Sequence, residues 1–321
     1  MDALPLTGCS TNWNRAYKYQ EMNTEYRNFF SMGTRLDAVF INVDPARVDM
    51  LTERTRHILD HIESALSIYR DDSELTLLNE NAYGKEIAVS PLLFEAICLC
   101  IDYYKLTGGV FDAGIGRLTG FTGGMGHGGK KDRKVADGQS GMGLVEISEA
   151  KKSVCYHGKN VLIDPGGFGK GLAISKIKEV LLSENIDNAL VSFGESTVLA
   201  LGSHPHGKHW PIAVADIYNK QSVVRMAKLR DNCLSSSGTG FVDKDGVFRS
   251  SGNIIDPRTG KSMDEARTVS VVSDDPLEAE ILSTALLVDT DCLPDDFDRS
   301  GREAFAVIYD SMKKFVVNEI F

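Results

Sequence analysis

Apolar and polar positions change period several times along the chain, and each change marks an element. Over residues 29–43 the apolar positions have strand spacing, which stops before Pro45. Val48, Leu51, Ile58, Leu59, Ile62, Leu66 and Tyr69 then fall on one face at helical spacing. Ser90 and Pro91 supply a cap and a first-turn proline for a helix running to about Lys105, and Gly108-Gly109 stops it. Residues 161–164 predict a strand that turns through Pro165-Gly166-Gly167 into a helix over about 170–183. Short strands follow at Ala189–Phe193, Trp210–Ala215, Val223–Leu229 and 268–273, then a helix capped by Asp275 and Pro276 that reaches Leu287. Residues 305–309 and 314–317 predict a closing hairpin. Strands cluster without regular βαβ alternation, so the predicted class is α+β with mostly antiparallel sheets flanked by helices.

Two stretches carry no such period. Residues 1–28 are polar and predict a loose lead-in to a domain over 29–321. Residues 114–143 hold eleven glycines with Lys130, Lys131 and Arg133, which predicts a flexible excursion. It reads either as a surface loop or as a lid over a bound nucleotide.

Composition narrows the function. A net charge of −10 argues against a nucleic-acid surface, though not against a single nucleotide held by local donors. No apolar run approaches the length of a membrane span. The six cysteines show no CxxC pair and no zinc-ligand spacing, so they read as reduced thiols. Leu6-Thr7-Gly8-Cys9 has the form of a lipoprotein cleavage box, but residues 1–5 supply neither a basic start nor an apolar run. The chain as written is therefore expected in the cytoplasm.

Several segments carry candidate chemistry. Asp164-Pro-Gly-Gly-Phe-Gly-Lys170-Gly171 is a glycine-rich turn into a helix, where backbone amides and Lys170 could cradle phosphate. A tight packing turn explains it equally well, and it is not a Walker motif. Glu280 and Thr284 stand four apart on one helix face, either as a solvated pair or as oxygen ligands for a hard cation such as Mg²⁺. Ser235-Ser236-Ser237-Gly238 either donates hydrogen bonds to phosphate or merely turns. No GxSxG elbow supports a serine hydrolase. His204, His206 and His209 read as a polar loop more readily than as a metal site.

Asn253-Ile-Ile-Asp-Pro-Arg-Thr-Gly260, together with several ordered segments between Ser31 and Val288, resembles the ApbE family of flavin transferases. Met32-Gly33-Thr34 is similar to the family's opening strand. Ser67-Ile-Tyr69 with Ser73-Glu74 and Asn79 is similar to its next element, and Phe193-Gly-Glu-Ser196 to its middle glycine segment. The resemblance implies an FAD site at Met32, Tyr69, Val110, Phe111, Asp112, Asp164, Lys170 and Ile255. It implies a Mg²⁺ site at Gly167, Glu280, Ser283 and Thr284. The implied activity is transfer of FMN from FAD to a threonine of an acceptor flavoprotein, with release of AMP.

Four positions depart from the family pattern. Asn253 replaces a histidine, Glu280 an aspartate, Ser283 a carboxylate found in some members, and Ser175 a frequent aspartate. An amide orients a hydroxyl but accepts no proton at neutral pH, which leaves Asp256 as the nearest candidate base. The exchanges imply weaker metal binding and slower transfer. They also keep open two other outcomes: FAD binding without transfer, and FAD hydrolysis to FMN and AMP.

Overall fold

The computed structural model describes residues 23–118 and 140–321. The lipoprotein-like box and the basic residues Lys130, Lys131 and Arg133 lie outside them. An eight-stranded sheet runs in the order Thr24–Ser31, Thr34–Ile41, Ala189–Phe193, Thr197–Leu201, Cys233–Gly238, Arg267–Ser273, Glu303–Tyr309 and Phe315–Glu319. Every neighbouring pair in it is antiparallel. Five α-helices accompany it among the described residues: α1 (Pro45–Leu66), α2 (Glu74–Asn81), α3 (Pro91–Leu106), α4 (Gly169–Ser183) and α5 (Pro276–Val288). The fold is α+β, as the clustering of strands predicts.

Local chemistry sets the helix starts. Asp44 accepts from the Ala46 amide (2.9 Å), Ser90 from Leu93 (3.3 Å) and Asp275 from Leu277 (2.9 Å), each just ahead of a first-turn proline. The sheet is covered on both sides, so its central strands lose the alternation of a half-exposed strand. Thr197–Leu201 is buried throughout. Helices α4 and α5 pack on one face, and α5 is buried on nearly all sides. On the other face, Trp210 and Leu229 of the hairpin Trp210–Ala215/Val223–Leu229 meet Val198, Leu234 and Val272.

Five expectations change. Residues 29–43 form a hairpin rather than one strand, because Met32 (φ 48°) and Gly33 (φ 73°) turn the chain. Its first strand begins at Thr24, ahead of the strand start expected at 29. Tyr69 lies beyond the end of α1 and is largely exposed, so it is not part of the helix's apolar face. Residues 161–164 make no extended strand: a single parallel bridge joins Leu162 to Ile115, and the Asn79 side chain takes both the Ile163 N–H and C=O at 2.9 Å. The described ends of the 114–143 excursion are packed, not loose. Ile115 and Met142 are buried, and a Cβ on Gly114 would lie 2.6 Å from the Gly141 backbone.

The five described cysteines are free thiols. No helix of the described residues is long and apolar enough to cross a membrane.

Candidate active site

A cleft of about 540 Å³ opens where α4, α5 and the loops around residues 110–116 and 251–257 converge. That volume suits a small molecule or a nucleotide cofactor. Tyr69, Val110, Phe111, Asp112, Asp164, Gly167, Lys170, Asn253, Ile255, Glu280 and Thr284 all contribute to its wall. Segments more than 200 residues apart in sequence thus meet around one space.

The floor is the crossing of α4 and α5. A Cβ on Gly171 would lie 2.7 Å from the Pro276 carbonyl and 2.9 Å from both Leu277 Cα and Glu280 Oε2. Only glycine lets α5 approach this closely. The approach brings the Gly171 amide onto Glu280 Oε2, while the Lys170 ammonium pairs with Glu280 Oε1. The glycine-rich turn therefore packs tightly, and its Lys170 lines the cleft. Asp164 shapes the turn by accepting the Gly166 amide at 2.8 Å.

Hydroxyls line the next part of the wall. Thr284 Oγ1 donates to the Glu280 carbonyl (3.1 Å) and lies 3.2 Å from Ser237 Oγ. Ser283 is fully buried and does not reach the cleft, since its hydroxyl is taken by the Glu280 carbonyl (2.9 Å) and Ser237 (2.7 Å). Ser236, Ser237 and Gly238 do face the cleft, as does Ser251.

Opposite stands Asp112, whose Oδ1 accepts the amides of Gly114 (2.8 Å) and Met142 (2.9 Å). It thereby clamps the two ends of the excursion together. Burial pushes its carboxyl up to about 6, against the two amide bonds that favour the charged form.

At the rim, Asn253 is exposed on the loop that precedes the short ladder Ile255–Asp256/Lys261–Ser262. Asp256 is placed differently. Its side chain does not line the cleft but pairs with Arg258 (3.0 Å), which also bonds Asp289 (2.6 Å). The Arg258 guanidinium holds the Asp256 carboxyl below the usual carboxylate range. Met32 also lies off the wall, in the hairpin turn, partly buried against the core.

The donor set fits a hard divalent cation. Glu280 Oε1, Thr284 Oγ1 and the backbone near Gly167 offer oxygen only, and a Cβ on Gly167 would lie 3.6 Å from Thr284 Oγ1. The Lys170 ammonium already stands as a positive charge against the same carboxylate. Among the described residues no cluster of three or more His, Cys, Asp or Glu offers another metal site. His204 instead stacks edge-on to Trp210 and His206, and His157 pairs with Glu146.

Ile254 and Pro257 of the 253–260 motif line the wall as well, and Ala113, Ile115, Gly116 and Val288 join it without having stood out in the sequence. The only signal for them was adjacency to motifs that did.

The Vibrio cholerae FAD:protein FMN transferase is 26% identical over 269 residues, covering 80% of this chain and 79% of that protein. Its Klebsiella pneumoniae counterpart is 25% identical over 273 residues, covering 80% and 76%. Among solved structures, the flavin transferase ApbE from Vibrio cholerae superposes with a TM-score of 0.77 at 22% identity, covering 93% of this chain and 97% of that one. The apo flavinyl transferase ApbE of Pseudomonas stutzeri gives 0.76 at 21%, covering 94% and 96%. The model of the ApbE family matches residues 32–291, and the chain belongs to that family.

Proposed function

We propose that the protein is a Mg²⁺-dependent FAD:protein FMN transferase that attaches FMN to a threonine of an acceptor flavoprotein and releases AMP. The observation that carries this reading is the convergence, in one cleft, of Tyr69, Val110–Asp112, Asp164, Lys170, Ile255, Glu280 and Thr284 from distant parts of the chain. The names of the relatives support it.

Charge balance supports the metal. Asp112, Asp164 and Glu280 face the cleft with Lys170 as the described cation on its wall, and a diphosphate would add negative charge. A bound Mg²⁺ would neutralise that diphosphate and polarise its phosphorus. Glu280 and Thr284 would hold it, with the backbone at Gly167.

In the reaction, the threonine oxygen forms a bond to the FMN phosphorus while the bond from that phosphorus to the AMP oxygen breaks. The Lys170 ammonium lies where it can offset charge on the phosphoryl oxygens. Tyr69 and Phe111 offer apolar surface to the flavin dinucleotide. Asn253 can orient the attacking hydroxyl but cannot take its proton. With no base beside the hydroxyl, its proton passes to solvent or to the departing phosphate. The cost is speed, since a positioned base typically adds about 10²- to 10⁴-fold.

The exposed amide at Asn253 also favours a second reading, FAD binding without transfer. Incubation with FAD, Mg²⁺ and a threonine-bearing acceptor, read by intact mass, decides. A gain of one FMN on the acceptor is expected. Free AMP with an unmodified acceptor would indicate hydrolysis, and unchanged FAD would indicate binding alone.

A further inference from the structure

Glu280 carries a conflict of roles. Its side chain is almost fully buried, at 4% exposure, and both oxygens have donors: the Gly171 amide on Oε2 and the Lys170 ammonium on Oε1. The amide is fixed by the α4–α5 crossing, where Gly171 leaves no room for adjustment. The ammonium is not. Lys170 ends a flexible four-carbon stem and retains 29% exposure, with its stem beside the turn at Gly194. Its head can leave Glu280 without any movement of the backbone.

A buried carboxylate is costly without a counter-charge, so Glu280 needs a cation at all times. Oε1 is the oxygen that carries it, since Oε2 takes the Gly171 amide. An ammonium and a divalent ion cannot both occupy that position, because like charges a few ångströms apart in a buried site repel strongly. A dinucleotide changes the balance, since its diphosphate offers the ammonium a new partner in the same cleft.

We propose that Lys170 is a resident counter-ion for Glu280, and that a divalent cation replaces it only when a dinucleotide's diphosphate takes over the ammonium. FAD and the metal then bind synergistically, and the empty cleft disfavours a metal ion. The proposal rests on the FAD reading for the identity of the dinucleotide. The competition between Lys170 and the metal stands on geometry alone.

The test is calorimetric titration of Mg²⁺ into the full chain, with and without FAD and without acceptor, for the wild type and for Lys170→Met. For the wild type, FAD should tighten Mg²⁺ binding by roughly tenfold or more. Lys170→Met should bind Mg²⁺ tighter than the wild type by a similar factor in the absence of FAD, and FAD should then add little. A purely structural role for Lys170 would not raise metal affinity. Lys170→Arg, which keeps a cation and a fork for Glu280, should bind Mg²⁺ alone no better than the wild type. It also keeps the question decidable should Lys170→Met not fold.

Equal Mg²⁺ affinity in wild type and Lys170→Met overturns the proposal, as does wild-type affinity unmoved by bound FAD. If flavin fluorescence shows no FAD binding while Lys170→Met gains Mg²⁺ affinity, the FAD reading falls and the competition stands. If FMN transfer proceeds while Lys170→Met gains nothing, the competition falls and the transferase stands.

Discussion

At the inner wall of the cleft, α4 and α5 cross so closely that Gly171 has no space for a methyl group, and the carboxylate of Glu280 is held from two sides. The rim carries Ser251, Asn253, Ile254, Ile255 and Pro257, on and just before the short ladder Ile255–Asp256/Lys261–Ser262, with Asn253 exposed. The wall is part of the core, so a change there alters stability and ligand charge together. The rim buries little, so its residues can be exchanged with small effect on the fold. On the proposed reading, this division lets the residue at 253 that handles the proton vary while the ligand site is kept.

Asn253→His is the sharpest way to test that division. It should raise the rate of FMN transfer by about 10²- to 10⁴-fold, while the urea midpoint stays within about 0.5 kcal/mol of the wild type. The paired control is Asp256→Asn, which should leave the transfer rate nearly unchanged because that carboxylate is engaged with Arg258 rather than the cleft. An unchanged rate in Asn253→His, or a collapse in Asp256→Asn, would reverse the assignment of roles at the rim.

The inner wall should respond in the opposite sense. Gly171→Ala forces apart backbone atoms that cannot yield, at a cost of about 1–3 kcal/mol, and weakens FAD binding with it. Urea unfolding and flavin fluorescence check the two effects. Full stability in the variant would mean that the α4–α5 crossing is looser than its geometry shows.

The remaining effect concerns Asp112. Its carboxyl is raised by burial from the ordinary 3.8 to about 6. The folded state therefore holds the proton more tightly than the unfolded one. This contribution to stability is fully present below about pH 4 and is lost as pH rises through about 6. The difference in unfolding free energy between wild type and Asp112→Asn should follow that window, with the wild type losing ground as pH rises. A difference that is flat from pH 4 to 7 would show that the clamp at Gly114 and Met142 holds the charged form without penalty.

Much of the fold was legible because its signals are local. The caps at Asp44, Ser90 and Asp275 sit beside prolines, and helical periodicity over 48–66 needs only the residues concerned. The hairpin at Met32-Gly33 was hidden because apolar residues continue across it, and only positive φ at two successive residues reveals the turn. The strand Thr197–Leu201 carries no alternation to detect because both its faces are covered, and Cys233–Gly238 is masked by its Ser-Ser-Ser-Gly end, which has the composition of a turn. Residues 161–164 looked like a strand because they are apolar. Their backbone is in fact satisfied by the Asn79 side chain and by residues 113–116, a pairing no local pattern encodes.

The sequence by itself determined which chemical groups this protein could bring to a site: an acidic and hydroxyl-bearing helix face, a glycine-lysine turn, and an amide at position 253. Residue type and spacing along one element are enough for that. Only the tertiary structure decided how those groups face one another. It turned Ser283 into the core and Asp256 toward Arg258, set Ser237 against Thr284, and laid Lys170 on Glu280. The physical reason is that partners far apart in sequence are chosen by how helices and sheet pack, and here that packing is set by the contact at Gly171, which brings α5 against α4.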